Sequence, residues 1–171
     1  MRVFLIGFMC SGKSRVGREL APLLGLRFRD IDRVIEERIG PITPWVLREG
    51  EEAFRVQERA VLLEVLEEQD VLIACGGGTP LGDDNMDRML AAGTVVYLDV
   101  PLDVLVERAT RAGGDRPLLF GLKGEALRSR IEQLLTARVA TYERAQLRIH
   151  AIDDPRTIAE RIKAGLSVQE M

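Results

Sequence analysis

The stretch GFMCSGKS, Gly7 to Ser14, constrains this chain more than any other part of it. Glycine at 7 and 12 followed by Lys13 and Ser14 fits G-x-x-x-x-G-K-[ST], a pattern that has physical meaning only between a strand and a helix. Both neighbours are present. RVFLI, residues 2–6, is short, β-branched and aromatic, as a buried strand is. After Ser14, Val16, Leu20, Leu23 and Leu24 recur at helical spacing and Gly25 provides a stop. In that setting successive backbone N–H groups and the helix N-terminus present partial positive charge to an anion. Lys13 adds a full charge for the β- and γ-phosphates of a nucleotide, and the Ser14 hydroxyl is a ligand for Mg²⁺. A glycine-rich turn with an incidental lysine is the plainer alternative, and the agreement of motif with setting favours the phosphate cradle.

The 171 residues suffice for one domain, 1–171, with a core of its own. With 46% apolar and 30% charged residues the chain reads as a globule, not a disordered segment. A net charge of −3 supplies no overall basic field, which argues against nucleic acid or an anionic membrane as partner. No apolar run is long enough to cross a bilayer, and Met1 leads straight into the first strand, so no signal peptide is expected. Two cysteines, Cys10 and Cys75, make no disulfide framework. A cytoplasmic monomer is the expectation.

Along the chain there is no repeat or low-complexity tract. Strands are expected near 2–6, 28–31, 71–75, 95–99 and 147–151. Between them fall DRVIEERIG ending at Gly40, PWVLREG with Thr43 as cap and Pro44 at its first position, and an amphipathic helix over about 51–68. DDNMDRMLAAG reads as a capped helix stopped by Gly93, and PLDVLVERATR starts at Pro101. GEALRSRIEQLLTARVATYERA and PRTIAERIKAGL complete the helices. Strands alternating with helices specify a parallel sheet covered on both faces, with ligands at the C-terminal strand ends. Besides the glycine loop, those ends carry Asp30 and Asp32, the run Gly76 to Gly78, and Asp99.

Phosphoryl transfer requires a phosphate cradle, a metal, an acidic group on the attacking hydroxyl and cations on the moving charge. Asp30 and Asp32 place two carboxylates on one face of a strand end, one for the Mg²⁺ shell and one for the acceptor hydroxyl. A helix cap at Asp32 beside a solvated Asp30 is the equal alternative. Three glycines after the third strand let another molecule approach the backbone closely. Arg116 lies in AGGDRPLLFGLKG, whose composition suits a lid closing over phosphates, although the segment alone reads better as a plain surface loop. Arg55 and Arg138 lie in helices, and Glu51, Glu52 and Glu58 are near enough to pair with Arg55, so residue type alone gives neither a role. His150, Trp45 and Phe54 read as structural. Cys10 and Cys75 both follow strands and read as structural thiols.

Together, GFMCSGKS, FRDIDRVIE, GEEAFRVQE, ACGGGTP, DRPLL and ARVATYERA resemble the shikimate kinase family, in the family's own order and from the N-terminus to at least Arg144. The resemblance implies a three-layer α/β P-loop kinase fold of the nucleoside-monophosphate-kinase type, with a five-stranded parallel sheet flanked by helices. It implies a substrate-binding region at about 31–60 and a lid at about 112–124. The implied activity is transfer of the γ-phosphate of ATP to the 3-hydroxyl of shikimate, giving ADP, on the chorismate route to aromatic amino acids. By matching position, Cys10, Ser11, Gly12, Lys13, Ser14, Arg15 and Arg116 would hold ATP, with Ser14 and Asp30 serving Mg²⁺. Asp32 would hold the shikimate hydroxyls and take the proton. Arg55 and Arg138 would clamp the carboxylate, and the Gly77 backbone would meet the ring hydroxyls. Lys13, Asp32 and Arg116 would then be the catalytic set.

Three places depart from the family pattern. Cys10 stands where glycine is usual, a change expected to be tolerated if its backbone angles are not those of glycine alone, with altered nucleotide affinity and an oxidisable thiol as consequences. RVATY stands for R-x-P-L-Y, and the adenine segment should fall near Ile152 to Arg156. A gluconate-type sugar-acid kinase would share the phosphate loop and lid without needing the whole set. A non-catalytic shikimate-sensing module would lack Lys13, Asp32 or Arg116, and all three are present.

Overall fold

A computed structural model describes residues 1–113 and 116–169; Gly114 and Asp115, inside the expected lid, and the last two residues lie outside the described set. The strands are β1 (Arg2–Ile6), β2 (Arg27–Asp30), β3 (Val71–Ala74), β4 (Thr94–Asp99) and β5 (Leu147–His150). They form one parallel sheet in the order β2-β3-β1-β4-β5. Val3 to Ile6, Val71 to Ile73 and Val95 to Leu98 are sealed from solvent apart from a trace at Tyr97, because parallel sheets are covered on both faces and their central strands can be apolar throughout. The edge strands β2 and β5 alternate half-buried with exposed residues instead.

Eight helices cover the described sheet: α1 (Lys13–Leu24), α2 (Ile31–Ile39), α3 (Ile42–Glu49), α4 (Glu51–Leu66), α5 (Asn85–Ala92), α6 (Leu102–Arg111), α7 (Gly124–Tyr142) and α8 (Pro155–Gln169). Two 3₁₀ turns, Thr79–Leu81 and Pro117–Leu119, complete the elements. α1 lies against α8, burying Val16 and Leu20 of one with Ile158, Ile162 and Leu166 of the other in the same core. β1 sits between β3 and β4, so the loop after it opens at the reversal of strand order, where ligand crevices form in such sheets.

Several boundaries differ from the sequence expectation, each for a local reason. β2 spans 27–30, and Ile31 already opens α2 with Asp30 as its cap, the carboxylate accepting from the Arg33 N–H at 3.4 Å. Thr43 is not the cap of α3. That helix begins at Ile42 behind Pro41, which buries Thr43 in its first turn and leaves Pro44 where a missing N–H still costs no helical bond. Asp84 precedes α5, yet its side chain makes no capping bond because it is drawn to Arg59 at 2.7 Å and Arg88 at 2.8 Å. α4 ends at Leu66 and α7 at Tyr142, short of the helical patterns that suggested them.

Candidate active site

The loop between β1 and α1 is built on positive φ angles. Gly7 (φ +146°) has no room for a side chain, since a Cβ would stand 2.7 Å from the Leu98 carbonyl, and Gly12 (φ +92°) leads into α1. Cys10 adopts φ +65°, which is left-handed backbone. These angles favour glycine but are not confined to it, so the condition set for tolerating the thiol is met at the cost of some backbone strain. Lys13 is only 9% exposed; its Nζ donates to the Gly7 carbonyl at 2.9 Å, the Phe8 carbonyl at 2.8 Å and Ser11 Oγ at 3.3 Å. Burial, then the Arg116 charge, lower the Lys13 pKa to about 8, against the pull of Asp32. Arg108, which the sequence did not single out, donates from Nη1 to the Cys10 carbonyl at 3.2 Å and from Nη2 to the Ala151 carbonyl at 3.3 Å. It ties the loop to the chain leaving β5.

Two cavities meet at this loop. One, of about 560 Å³, is lined by Gly12, Arg15, Arg108, Asp153 and Pro155. The other, of about 550 Å³, is lined by Asp30, Thr43, Arg55, Gly78 and Arg138. Ser14, Asp32, Gly76, Gly77 and Arg116 border both, so any group passing from the first cavity to the second passes between them. Arg116 precedes the Pro117–Leu119 turn, and the segment around it carries positive φ at Gly113, Gly121 and Gly124. Of the expected adenine segment, Asp153 and Pro155 line the first cavity, while Arg156 turns away to Glu160 and Glu19.

Asp30 and Asp32 do face one cavity, though not through strand alternation. Asp30 ends β2 and Asp32 lies in the first turn of α2. The Ser14 hydroxyl donates to Asp30 Oδ2 at 2.5 Å, bringing side by side two hard oxygen atoms of the kind that could hold a metal ion. Burial, then the neighbouring charges of Asp30 and Glu58, raise the Asp32 pKa from 3.8 to about 6, and Lys13 and Arg116 only partly offset this.

The three glycines after β3 each make room for a different neighbour. A Cβ on Gly76 would stand 2.6 Å from Glu58 Oε1 and 3.1 Å from Asp32 Oδ1. On Gly77 it would meet the Met9 nitrogen at 3.1 Å and Arg138 Nη1 at 3.3 Å, and on Gly78 it would overlap the Arg55 guanidinium. Arg55 and Arg138, from α4 and α7, thus converge on one turn. Arg138 is 5% exposed and lies 5.6 Å above the Phe8 ring. Arg55 donates to Glu58 at 2.7 Å and Glu51 at 3.2 Å.

Sequence reasoning took Glu58 only as a solvated partner of Arg55, but it is 2% exposed and also accepts from Thr79 Oγ1 at 2.6 Å. The signal was the i,i+3 spacing from Arg55, read without knowing which face of α4 is covered. Tyr142 entered that reading only as the last residue of RVATY, without a role of its own: its hydroxyl donates to the Gly77 carbonyl at 2.6 Å. Asp99 is held by Arg148 at 2.8 Å. Cys75 is buried with its thiol 3.8 Å from the Met89 sulfur, and burial pushes its pKa up.

Residues 9–167 match the family model described as shikimate kinase. A shikimate kinase from Parabacteroides distasonis is 46% identical over 151 residues, spanning 88% of this chain and 87% of the relative. One from Halorhodospira halophila is 43% identical, over 98% of this chain and 94% of the relative. Among solved structures, the shikimate kinase of Acinetobacter baumannii in complex with shikimate superposes with a TM-score of 0.91 at 33% identity, covering 99% of this chain and 94% of that one.

Proposed function

The chain belongs to the shikimate kinase family, and from that membership we propose how its residues divide the reaction. The activity is ATP-dependent phosphorylation of shikimate at the 3-hydroxyl, giving shikimate 3-phosphate and ADP on the route to aromatic amino acids. ATP takes the cavity of Gly12, Arg15 and Arg108, its phosphates lying on the N–H groups of Cys10 to Ser14. Shikimate takes the cavity of Asp32, Arg55 and Arg138. Two guanidiniums from different helices suit a planar carboxylate, and a carboxylate beside bare backbone suits ring hydroxyls.

At the junction Asp32 accepts the proton of the attacking hydroxyl. With a pKa of about 6 it is ionised at neutral pH yet more basic than an ordinary aspartate, which is the poise a general base needs. Lys13 and Arg116 supply the positive charge that the transferring phosphoryl group meets, and at about 8 the Lys13 pKa still leaves most of it protonated at pH 7. Mg²⁺ neutralises phosphate oxygens when bound. Ser14 Oγ and Asp30 Oδ2, adjacent hard oxygen donors, fit an ion that takes one or two protein oxygens together with phosphate and water. Residues 112–124 act as the lid, and the expectation of a cytoplasmic monomer is carried into this reading.

The observation that carries the division of roles is that Asp32 borders both cavities between the two arginines and the phosphate loop. Phosphorus and proton NMR of the product tests it: the new phosphate resonance couples to the ring proton at carbon 3. Coupling to another ring proton would show that Asp32 addresses a different hydroxyl.

A further inference from the structure

Tyr142 takes no part in the division of labour above, yet it is the second residue through which α7 reaches the site. It follows Arg138 by one helical turn, so both side chains leave the same face of α7. Its ring is fully buried, packed at 5.2 Å against Tyr97, and its hydroxyl donates to the Gly77 carbonyl at 2.6 Å. The Arg138 guanidinium charge bears on the same phenol, working against the rise in its pKa that burial causes. That guanidinium also sits within 3.3 Å of where a Gly77 side chain would begin. Gly77, Arg138 and Tyr142 therefore form one contact group, two of them lining the cavity and the third wholly behind it.

The Gly77 carbonyl shares its peptide plane with the Gly78 N–H, and in a trans peptide the two point in opposite directions. Fixing the carbonyl to Tyr142 on the core side thus turns that N–H away from the core, on a glycine that lines the substrate cavity. Glycine holds such a plane poorly by itself, because φ of either sign costs it little. An anchor is needed if the backbone is to meet a ring hydroxyl with fixed geometry.

We propose that Tyr142 is a positioning residue for the acceptor: its hydroxyl locks the Gly77–Gly78 peptide and holds it in register with the Arg138 clamp. The carboxylate end and the hydroxyl end of the substrate are then measured from one helix. The proposal rests on shikimate occupying this cavity. It also accounts for a buried tyrosine spending its hydroxyl on a turn carbonyl, where a phenylalanine would fill the same space.

Tyr142→Phe keeps the ring and deletes the anchor. The KM for shikimate should rise roughly five- to tenfold, the size of one ordinary hydrogen bond, while the KM for ATP stays within twofold. A purely structural tyrosine would lower the unfolding midpoint and leave the shikimate KM unchanged well below it, and that result overturns the proposal. The chain has two tyrosines, so 3-fluorotyrosine in a Tyr97→Phe background gives one ¹⁹F resonance with the Tyr142 hydroxyl retained. Shikimate should shift that resonance with a midpoint near its KM, and gluconate should not. No shift with shikimate that the labelled enzyme turns over overturns the proposal. A wild-type enzyme that does not turn over shikimate would instead refute the assignment of the cavity.

Discussion

Asp32 is expected to carry a stability cost that its function requires. Its carboxyl titrates at about 6 in the folded chain against 3.8 in its absence, chiefly because it is buried beside Asp30 and Glu58. Folding thus raises the pKa of an acid. Between pH 3.8 and about 6 the folded state holds more proton than the unfolded one, so stability falls as pH rises through this window and the loss is complete above it. The difference between 3.8 and about 6 corresponds to about 3 kcal/mol. Asp32→Asn removes the charge in nearly the same volume. It should therefore be more stable than wild type by up to ~3 kcal/mol at pH 8, with the gap closing towards pH 4. Urea unfolding of both proteins at pH 4, 5, 6, 7 and 8 measures this, and the same variant should lose about 10²- to 10⁴-fold in kcat as a missing general base. A variant no more stable than wild type at pH 8, or a gap that does not change with pH, would refute the reasoning.

Two further outcomes follow from neighbouring residues. Glu58 contributes to the elevation at Asp32, so Glu58→Gln should move the acid limb of the kcat profile, expected near pH 6 in wild type, to lower pH; an unmoved or upward-moved limb counts against Asp32 as the base. Cys10→Gly releases left-handed backbone strain at φ +65°, worth about 1 kcal/mol, and should raise the thermal midpoint by roughly 2–4 °C; an unchanged midpoint would show that the loop relaxes around the thiol.

How much of this was legible beforehand depended on whether the cause was local. The phosphate loop was readable because strand, glycines, Lys13, Ser14 and helix are contiguous, and the central strands because fully buried parallel strands are apolar throughout. The glycine run was readable as a close approach, but not what approaches: Glu58, Arg138 and Arg55 come to Gly76, Gly77 and Gly78 from α4 and α7, far off in sequence. Arg55 and Arg138 acquired roles only through the family resemblance, since a helical arginine beside glutamates looks solvated until the covered face is known. The same limit hid Glu58, and the roles of Tyr142 and Arg108 could not be read because each bonds a distant backbone carbonyl. Asp30 rather than Asp32 capping α2 was a two-residue question of boundary that composition cannot settle.

The central claim is that one Asp32-centred junction passes phosphate from ATP to shikimate. It is tested most directly by coupled ADP release with ATP and Mg²⁺, comparing shikimate, gluconate and no acceptor, in wild type and Asp32→Asn. The account predicts release that requires shikimate, is absent with gluconate, and is lost in the variant. Release that needs no acceptor, that follows gluconate, or that survives in Asp32→Asn would contradict it.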